Sequence, residues 1–166
     1  SDPEEGQTLE DGTIIRVIKD QSGNVREAYL EKNGKMQGQC LLYHEEGTIQ
    51  GEMYYQDHKL HGPSVFYSAD KTVLARSYFV HGKQQGKTFQ YYIDGELYSR
   101  QRFKDGEWDG LQEYFYKDGT QKTLMPYIKG RLHGKTELFQ ANGEHSRVVH
   151  FENGQRKGLE THWNSK

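Results

Sequence analysis

The chain carries eight histidines and one cysteine, the residue types that most often hold metals, move protons or act as nucleophiles. His58 and His61 stand three residues apart around a turn-forming stretch, and His81 follows in the next one, so the three can approach each other. A zinc site built on them needs further thiolate, imidazole or carboxylate ligands, and no cysteine or paired carboxylate completes the set. Asp94, Asp105, Asp109 and Asp118 suggest a carboxylate pair of the kind that hydrolyses glycosides, which requires two such groups flanking a cleft. Each sits beside a glycine, which is the chemistry of tight turns. Cys40 has no organised His/Asn partner in the sequence, and no glycine cluster opens a helix as a phosphate loop does. The expectation is therefore no catalytic, metal-binding or cofactor-binding residues, and no cofactor.

The elements that would have to position such groups are set by a repeat. Gly38, Gly62, Gly86, Gly110, Gly134 and Gly158 follow one another at intervals of 24 residues. With that glycine as position 1, position 6 is always aromatic: Tyr43, Tyr67, Tyr91, Phe115, Phe139 and Trp163. Position 18 is always aromatic too: Tyr55, Phe79, Phe103, Tyr127 and Phe151. Further glycines mark position 10, with Lys71 as the exception, and position 21, with His58 as the exception. A fixed period of this length is the signature of a repeat array. Metal sharing between His61 and His133, three units apart, would have to span roughly 29 Å of stacked strands.

Each unit reads as a β-hairpin. Short aromatic runs such as Gln90-Tyr91-Tyr92-Ile93 suit strands, and Asp94-Gly95 and Asp118-Gly119 suit the turns that follow. Glycines every ten to fifteen residues rule out helix, at about 1 kcal/mol each in a helix interior. The fold class is all-β: an elongated single-layer antiparallel sheet of consecutive 24-residue hairpins, with about thirteen strands. Alternation places the rings of positions 6 and 18 on one face, with small residues at position 14 (Gly51, Ala75, Ser99, Thr123) making room for them. The opposite face then carries Tyr54, Tyr78, Tyr92, Tyr98, Tyr114 and Tyr116, the candidate partner-binding residues, because tyrosine brings area and a polar tip at little entropic cost. Pro126 falls inside a strand and must occupy a bulge or a place whose N–H the ladder does not use.

Only 33% of residues are hydrophobic while 13% are aromatic, which fits a thin structure with an aromatic spine better than a thick globule. The net charge of -2 comes from interspersed charges, with no basic footprint for nucleic acid and only a weak case for a membrane. A lone cysteine leaves no internal disulfide, and no apolar run approaches the length of a membrane-spanning helix. The compartment stays open, with the cytoplasm as default and an upstream signal segment, removed before Ser1, as the other option.

Residues 1–13 hold five acids and no base and read as a flexible acidic tail. The array spans 14–166: a degenerate first unit over 14–37, full units from Gly38, Gly62, Gly86, Gly110 and Gly134, and a partial unit from Gly158. Its last strand ends at Trp163 as an open edge, through which a homodimer can pair.

The run Gly86-Lys87-Thr88-Phe89-Gln90-Tyr91, then Asp94-Gly95, then Phe103-Lys104-Asp105-Gly106-Glu107-Trp108-Asp109-Gly110 resembles the MORN-type repeat, in its variant class. His61-Gly62 and His133-Gly134 match the unit end of the shorter sister motif, whereas Gln85-Gly86, Asp109-Gly110 and Lys157-Gly158 depart from it. Such variant repeats are similar to those of bacterial YwqK-like antitoxins. The resemblance implies a non-enzymatic module that binds a protein partner, a toxin or effector among the options. A structural or membrane-peripheral scaffold is the alternative.

Overall fold

The paired turn glycines cut the chain into segments of two to nine residues, and every one becomes a strand. The computed structural model describes residues 2–163, and among them there are eighteen strands and no helix. The chain divides into two units, Ser1–Lys83 and Gln84–Lys166. The first contains β1 (Ile14–Lys19), β2 (Val25–Lys32), β3 (Lys35–Tyr43), β4 (Ile49–Gln56), β5 (Lys59–Leu60), β6 (Gly62–Tyr67) and β7 (Val73–Val80), each antiparallel to the one before it in the sheet. The two-residue β8 (Lys83–Gln84) lies at the boundary in sequence. The second unit contains β9 (Gly86–Tyr91), β10 (Leu97–Lys104), β11 (Glu107–Trp108), β12 (Gly110–Phe115), β13 (Gln121–Ile128), β14 (Arg131–Leu132), β15 (Gly134–Phe139), β16 (His145–Glu152), β17 (Gln155–Arg156) and β18 (Thr161–His162), paired in the same antiparallel manner. Residues 164–166 of the expected array lie outside the described residues.

The strand total exceeds thirteen because the return segment is broken ahead of each ladder glycine from Gly62 onward, while β3 runs unbroken through Gly38. Asp109 and His133, which precede Gly110 and Gly134, turn their N–H groups onto the carbonyls of Arg102 and Pro126, both at 2.9 Å. The glycine then takes a left-handed backbone, with φ of +104° at Gly110 and +117° at Gly134. A Cβ there would also lie 3.2 Å from Arg102 Cδ and from Pro126 Cγ respectively. Both backbone sign and close approach demand glycine.

The same break accounts for Pro126. Its counterpart one repeat earlier is Arg102, whose N–H donates to the side-chain oxygen of Gln112 at 2.8 Å. The Gln112 amide returns 3.0 and 3.2 Å bonds to the carbonyls of Arg102 and Gly110. That N–H is met by a side chain outside the backbone ladder, so proline at this place removes a donor the ladder does not use.

Register corrects the expected face assignment. Gly110, Gln112 and Tyr114 stand opposite Tyr127, Met125 and Thr123, and the register then shifts between Tyr114 and Phe115. The first unit repeats this, with Gly38, Cys40 and Leu42 opposite Tyr55, Met53 and Gly51. Position 18 therefore shares a face with positions 3, 5, 14 and 16, and position 6 falls on the reverse face. The cause is the turn. Gly95 N–H bonds the Tyr92 carbonyl at 2.9 Å and Tyr92 N–H bonds the Glu96 carbonyl at 2.8 Å, which makes a three-residue loop with a left-handed glycine and a following bulge. One extra residue in the bulge reverses every parity counted across it.

The covered stripe runs along positions 3, 14 and 16 and is mostly small or polar. Cys40, Ser64, Thr88, Gln112 and Thr136 are buried at position 3, and Met53, Gln101 and Val149 at position 16. Gln112 and Ser99 are 0% exposed. The Ser99 hydroxyl donates to Gln90 Oε1 at 2.8 Å, so burial is matched by hydrogen bonding. At Gly51 a Cβ would come within 2.9 Å of the Phe66 ring, as the small residues of position 14 foreshadowed.

The acidic N-terminal segment is laid against β1. Gly6 N–H donates to the Ile15 carbonyl at 2.8 Å, Ile15 N–H to Gln7 at 2.9 Å, and Leu9 N–H to Thr13 at 2.7 Å. Glu5 pairs with Arg16 at 3.1 Å. These bonds cover the outer edge of β1, which would otherwise offer unpaired backbone groups.

Candidate functional site

The six candidate tyrosines fall into two structural classes. In the second unit Tyr98, at the bulge, meets Tyr92 at 5.1 Å and Tyr114 at 5.5 Å between ring centroids, both edge to face. The hydroxyls of Tyr92, Tyr114 and Tyr116 are occupied. Tyr92 donates to the Phe115 carbonyl at 2.7 Å, Tyr116 to the Phe139 carbonyl at 2.8 Å, and Tyr114 accepts from Gln101 Nε2 at 2.9 Å. His44 in the first unit does the same as Tyr92, its Nε2–H donating to the Tyr67 carbonyl at 2.9 Å. At His44, Tyr92 and Tyr116, position 7 is thus a hydrogen-bond staple from one repeat to the next. Lys117 and Lys122 lie 5.9 and 5.6 Å from the centres of the Tyr92 and Tyr116 rings.

Tyr54 and Tyr78 differ. Both occupy position 17 of the first unit, on the face opposite the position-18 rings, and they are 37% and 46% exposed. Position 17 is otherwise Leu30, Arg102, Pro126 and His150, so the repeat itself does not call for a ring there.

The histidines are also taken up by the turns. His61 Nδ1 accepts the N–H of His81 at 3.1 Å, and His133 Nδ1 accepts that of Asn153 at 3.3 Å. Gln37, Gln85 and Asp109 perform the same task for Asp57, Asp105 and Lys129 at 2.9, 3.0 and 3.2 Å. The residue before each of the five ladder glycines from Gly38 to Gly134 therefore caps the next turn. The signal was present in the sequence, since five of these residues carry a lone pair within reach. His58 is special: its Nδ1 accepts the N–H of Met36 at 3.2 Å while its own N–H donates to the Met36 carbonyl at 2.9 Å. Among the described residues no group of three or more His, Cys, Asp or Glu side chains is arranged to hold a metal ion.

Three carboxylates gather cations. Glu113 Oε2 receives Arg100 and Arg102 at 2.9 Å each. Burial alone would raise its pKa, but the two guanidinium bonds outweigh burial and hold it below the ordinary glutamate range. Glu137 is likewise held low, burial being offset by His145 and Lys135, both at 3.0 Å. Glu160 bonds Arg147, and also Arg156 at 3.1 Å and His162 at 3.0 Å. Each carboxylate is neutralised by neighbours, an arrangement that fixes strands to one another. Cys40 is buried, its thiol 3.6 Å from Glu27 Oε1, and burial followed by the Glu27 charge pushes its pKa up to about 12.

An antiparallel array of hairpins with a left-handed glycine at each repeat junction defines the class of protein. A family model described as MORN repeat variant matches residues 36–57, which supports a MORN-type repeat protein. The matched stretch runs from β3 through β4 and contains Gly38, both ring positions and the Gly47 turn. No curated protein matches the chain.

Proposed function

We propose that the chain is a non-enzymatic protein-binding repeat module, and that the partner sits on the reverse face of the first unit. The observation that carries this reading is the pair Tyr54 and Tyr78, two exposed rings at a position the repeat leaves free. Amphipathic rings held on a rigid sheet make contacts at small entropic cost, which is why tyrosine dominates many interfaces. Tyr92, Tyr98, Tyr114 and Tyr116 contribute by holding the second unit together. The finer form of the reading is an antitoxin or immunity-type protein that occludes a toxin or effector.

The test is isolation of the complex from the native host, followed by quantitative binding of the identified partner. The double variant Y54A/Y78A is expected to weaken that complex by about tenfold or more, as truncation of interface anchors does. Undiminished binding by a folded Y54A/Y78A protein removes this face from consideration. If the partner is a growth-inhibiting toxin, co-expression restores growth with the parent chain and fails with the double variant.

A further inference from the structure

Charge in the first unit is sorted between its two rows of turns. The turns between β1 and β2, β3 and β4, and β6 and β7 bear Asp20, Glu45, Glu46 and Asp70, with Lys19 and Lys71 as the bases there. The turns in the other row bear Lys32, Lys35, Lys59 and Lys83, together with His58 and His81, against the single acid Asp57. Net charge hides this separation because the two rows nearly cancel.

Lys35, Lys59 and Lys83 hold the same place in consecutive repeats. All three are exposed. The ion pairs of the first unit join Arg16 to Glu5 and Glu31, and Arg26 to Asp20, and among the described residues none reaches these lysines. The turns that carry them are stitched together, His58 N–H to the Met36 carbonyl at 2.9 Å and Gly82 N–H to the Leu60 carbonyl at 2.7 Å. The Lys59 stem rests on Gly82, with its Cβ 3.7 Å from where a Cβ of that glycine would stand. The row is therefore held in register up to the flexible ends of the side chains. The repeat does not demand it, because the second unit has Glu107, Arg131 and Gln155 at the same place.

At the Lys35 end of the row opens a cleft of ≈ 770 Å³, whose lining includes Lys32, Leu30, Tyr54, Tyr55 and the acids Asp11 and Asp57. The Asp11 carboxylate accepts the Thr13 N–H at 3.0 Å and also feels the charge of Lys32, which leaves Lys35 as the unpaired cation of the cleft. Tyrosine rings next to the unpaired Lys35 ammonium suit a polypeptide with acidic and apolar side chains.

Spacing narrows the conformation of that polypeptide. One lysine per hairpin, at two strands of ~4.8 Å each, gives a row with a period of roughly 10 Å. In a polyproline-II helix every third residue returns to the same side after ~9.3 Å. In a β-strand the same-side residues fall at ~6.7 Å and ~13 Å, out of step with the row. We propose that this edge of the first unit is a docking strip for an acidic protein segment in polyproline-II conformation, with a carboxylate at every third residue. The proposal rests on the protein-binding reading and names the chemistry of the partner.

The probe is a fluorescein-labelled peptide of four Glu-Pro-Pro repeats, compared by anisotropy with an isomer of the same composition whose glutamates are contiguous. The spaced peptide is expected to bind several-fold more tightly, to weaken on addition of salt, and to lose about tenfold in affinity to K35E/K59E/K83E. The milder K35Q/K59Q/K83Q protein, with folding of both variants checked by circular dichroism, is expected to fall between. Equal affinity for the two isomers overturns the proposal, as does binding that survives charge reversal. Preferential capture by phosphatidylserine vesicles over the spaced peptide overturns it too. A native complex that is lost in Y54A/Y78A and kept in K35E/K59E/K83E sinks this inference alone and leaves the protein-binding reading standing.

Discussion

The hydroxyl of Tyr92 donates a 2.7 Å hydrogen bond to the backbone carbonyl of Phe115, 23 residues further along the chain. Tyr116 and Phe139 repeat it at 2.8 Å. A residue that looks available for recognition is thereby committed to holding adjacent hairpins together. Removing the hydroxyl leaves a half-buried carbonyl without its partner, a loss of about 1 kcal/mol. Tyr92→Phe and Tyr116→Phe should each lower the free energy of unfolding from urea titration by that amount, and with it the denaturant midpoint, and the two effects should nearly add. Tyr54→Phe and Tyr78→Phe should leave the midpoint unchanged. If all four substitutions proved equally neutral, position 7 would have no stapling role.

The two places where the repeat lacks its turn glycine behave differently for a physical reason. Lys71 and His58 both adopt a left-handed backbone, with φ of 68° and 71°. A side chain there costs roughly 1 kcal/mol, and glycine relieves it. Lys71→Gly should therefore stabilise the protein by about 0.5–1 kcal/mol. His58→Gly relieves the same strain but forfeits the 3.2 Å bond that Nδ1 accepts from Met36 N–H, so it should come out near zero. Matched urea titrations of the two variants decide the matter. A larger gain for His58→Gly than for Lys71→Gly would falsify this account of the exception.

Glu113 makes the acid limb of the stability curve testable. Its carboxylate pKa is depressed in the folded chain despite burial, because Arg102 and Arg100 bind the charged form. A depressed carboxylate contributes stability above its unfolded pKa and loses it as pH falls through the folded pKa. Glu113→Gln should thus cost about 1–2 kcal/mol near neutral pH, after allowing for the partial exposure of both arginines. The parent and the variant should converge in strongly acidic solution. Stability measured across the acid range in both proteins would expose the idea as mistaken if the gap stayed constant.

Periodicity carried far and parity did not. The 24-residue spacing of Gly38 through Gly158 is enough to see hairpins, turns and the whole all-β class, because a left-handed backbone recurring at one place strongly favours glycine. Pro126 was likewise legible as a residue outside the ladder. Faces were not, since the bulge after each three-residue turn adds one residue and sends Phe115 and Tyr127 to opposite sides of the sheet. The lysine row is hidden in the sequence for another reason. Its members are 24 residues apart and average out in any measure of local charge, so Lys35, Lys59 and Lys83 stand out only when the sequence is folded onto its own repeat.

Cys40 offers a direct reading of how tightly the polar stripe is closed. Its thiol is 1% exposed, and burial together with Glu27 holds its pKa at about 12. The thiolate is the reactive form, and at neutral pH almost none is present in the folded chain. Alkylation by a maleimide should accordingly proceed only through opening of the sheet. Its rate should rise with denaturant in step with global unfolding, and Tyr92→Phe, which lowers global stability by about 1 kcal/mol, should raise it about fivefold. Rapid labelling of the native protein, at a rate comparable with a free cysteine peptide, would show that the stripe around Cys40, Met53 and Tyr55 opens independently of the rest of the sheet.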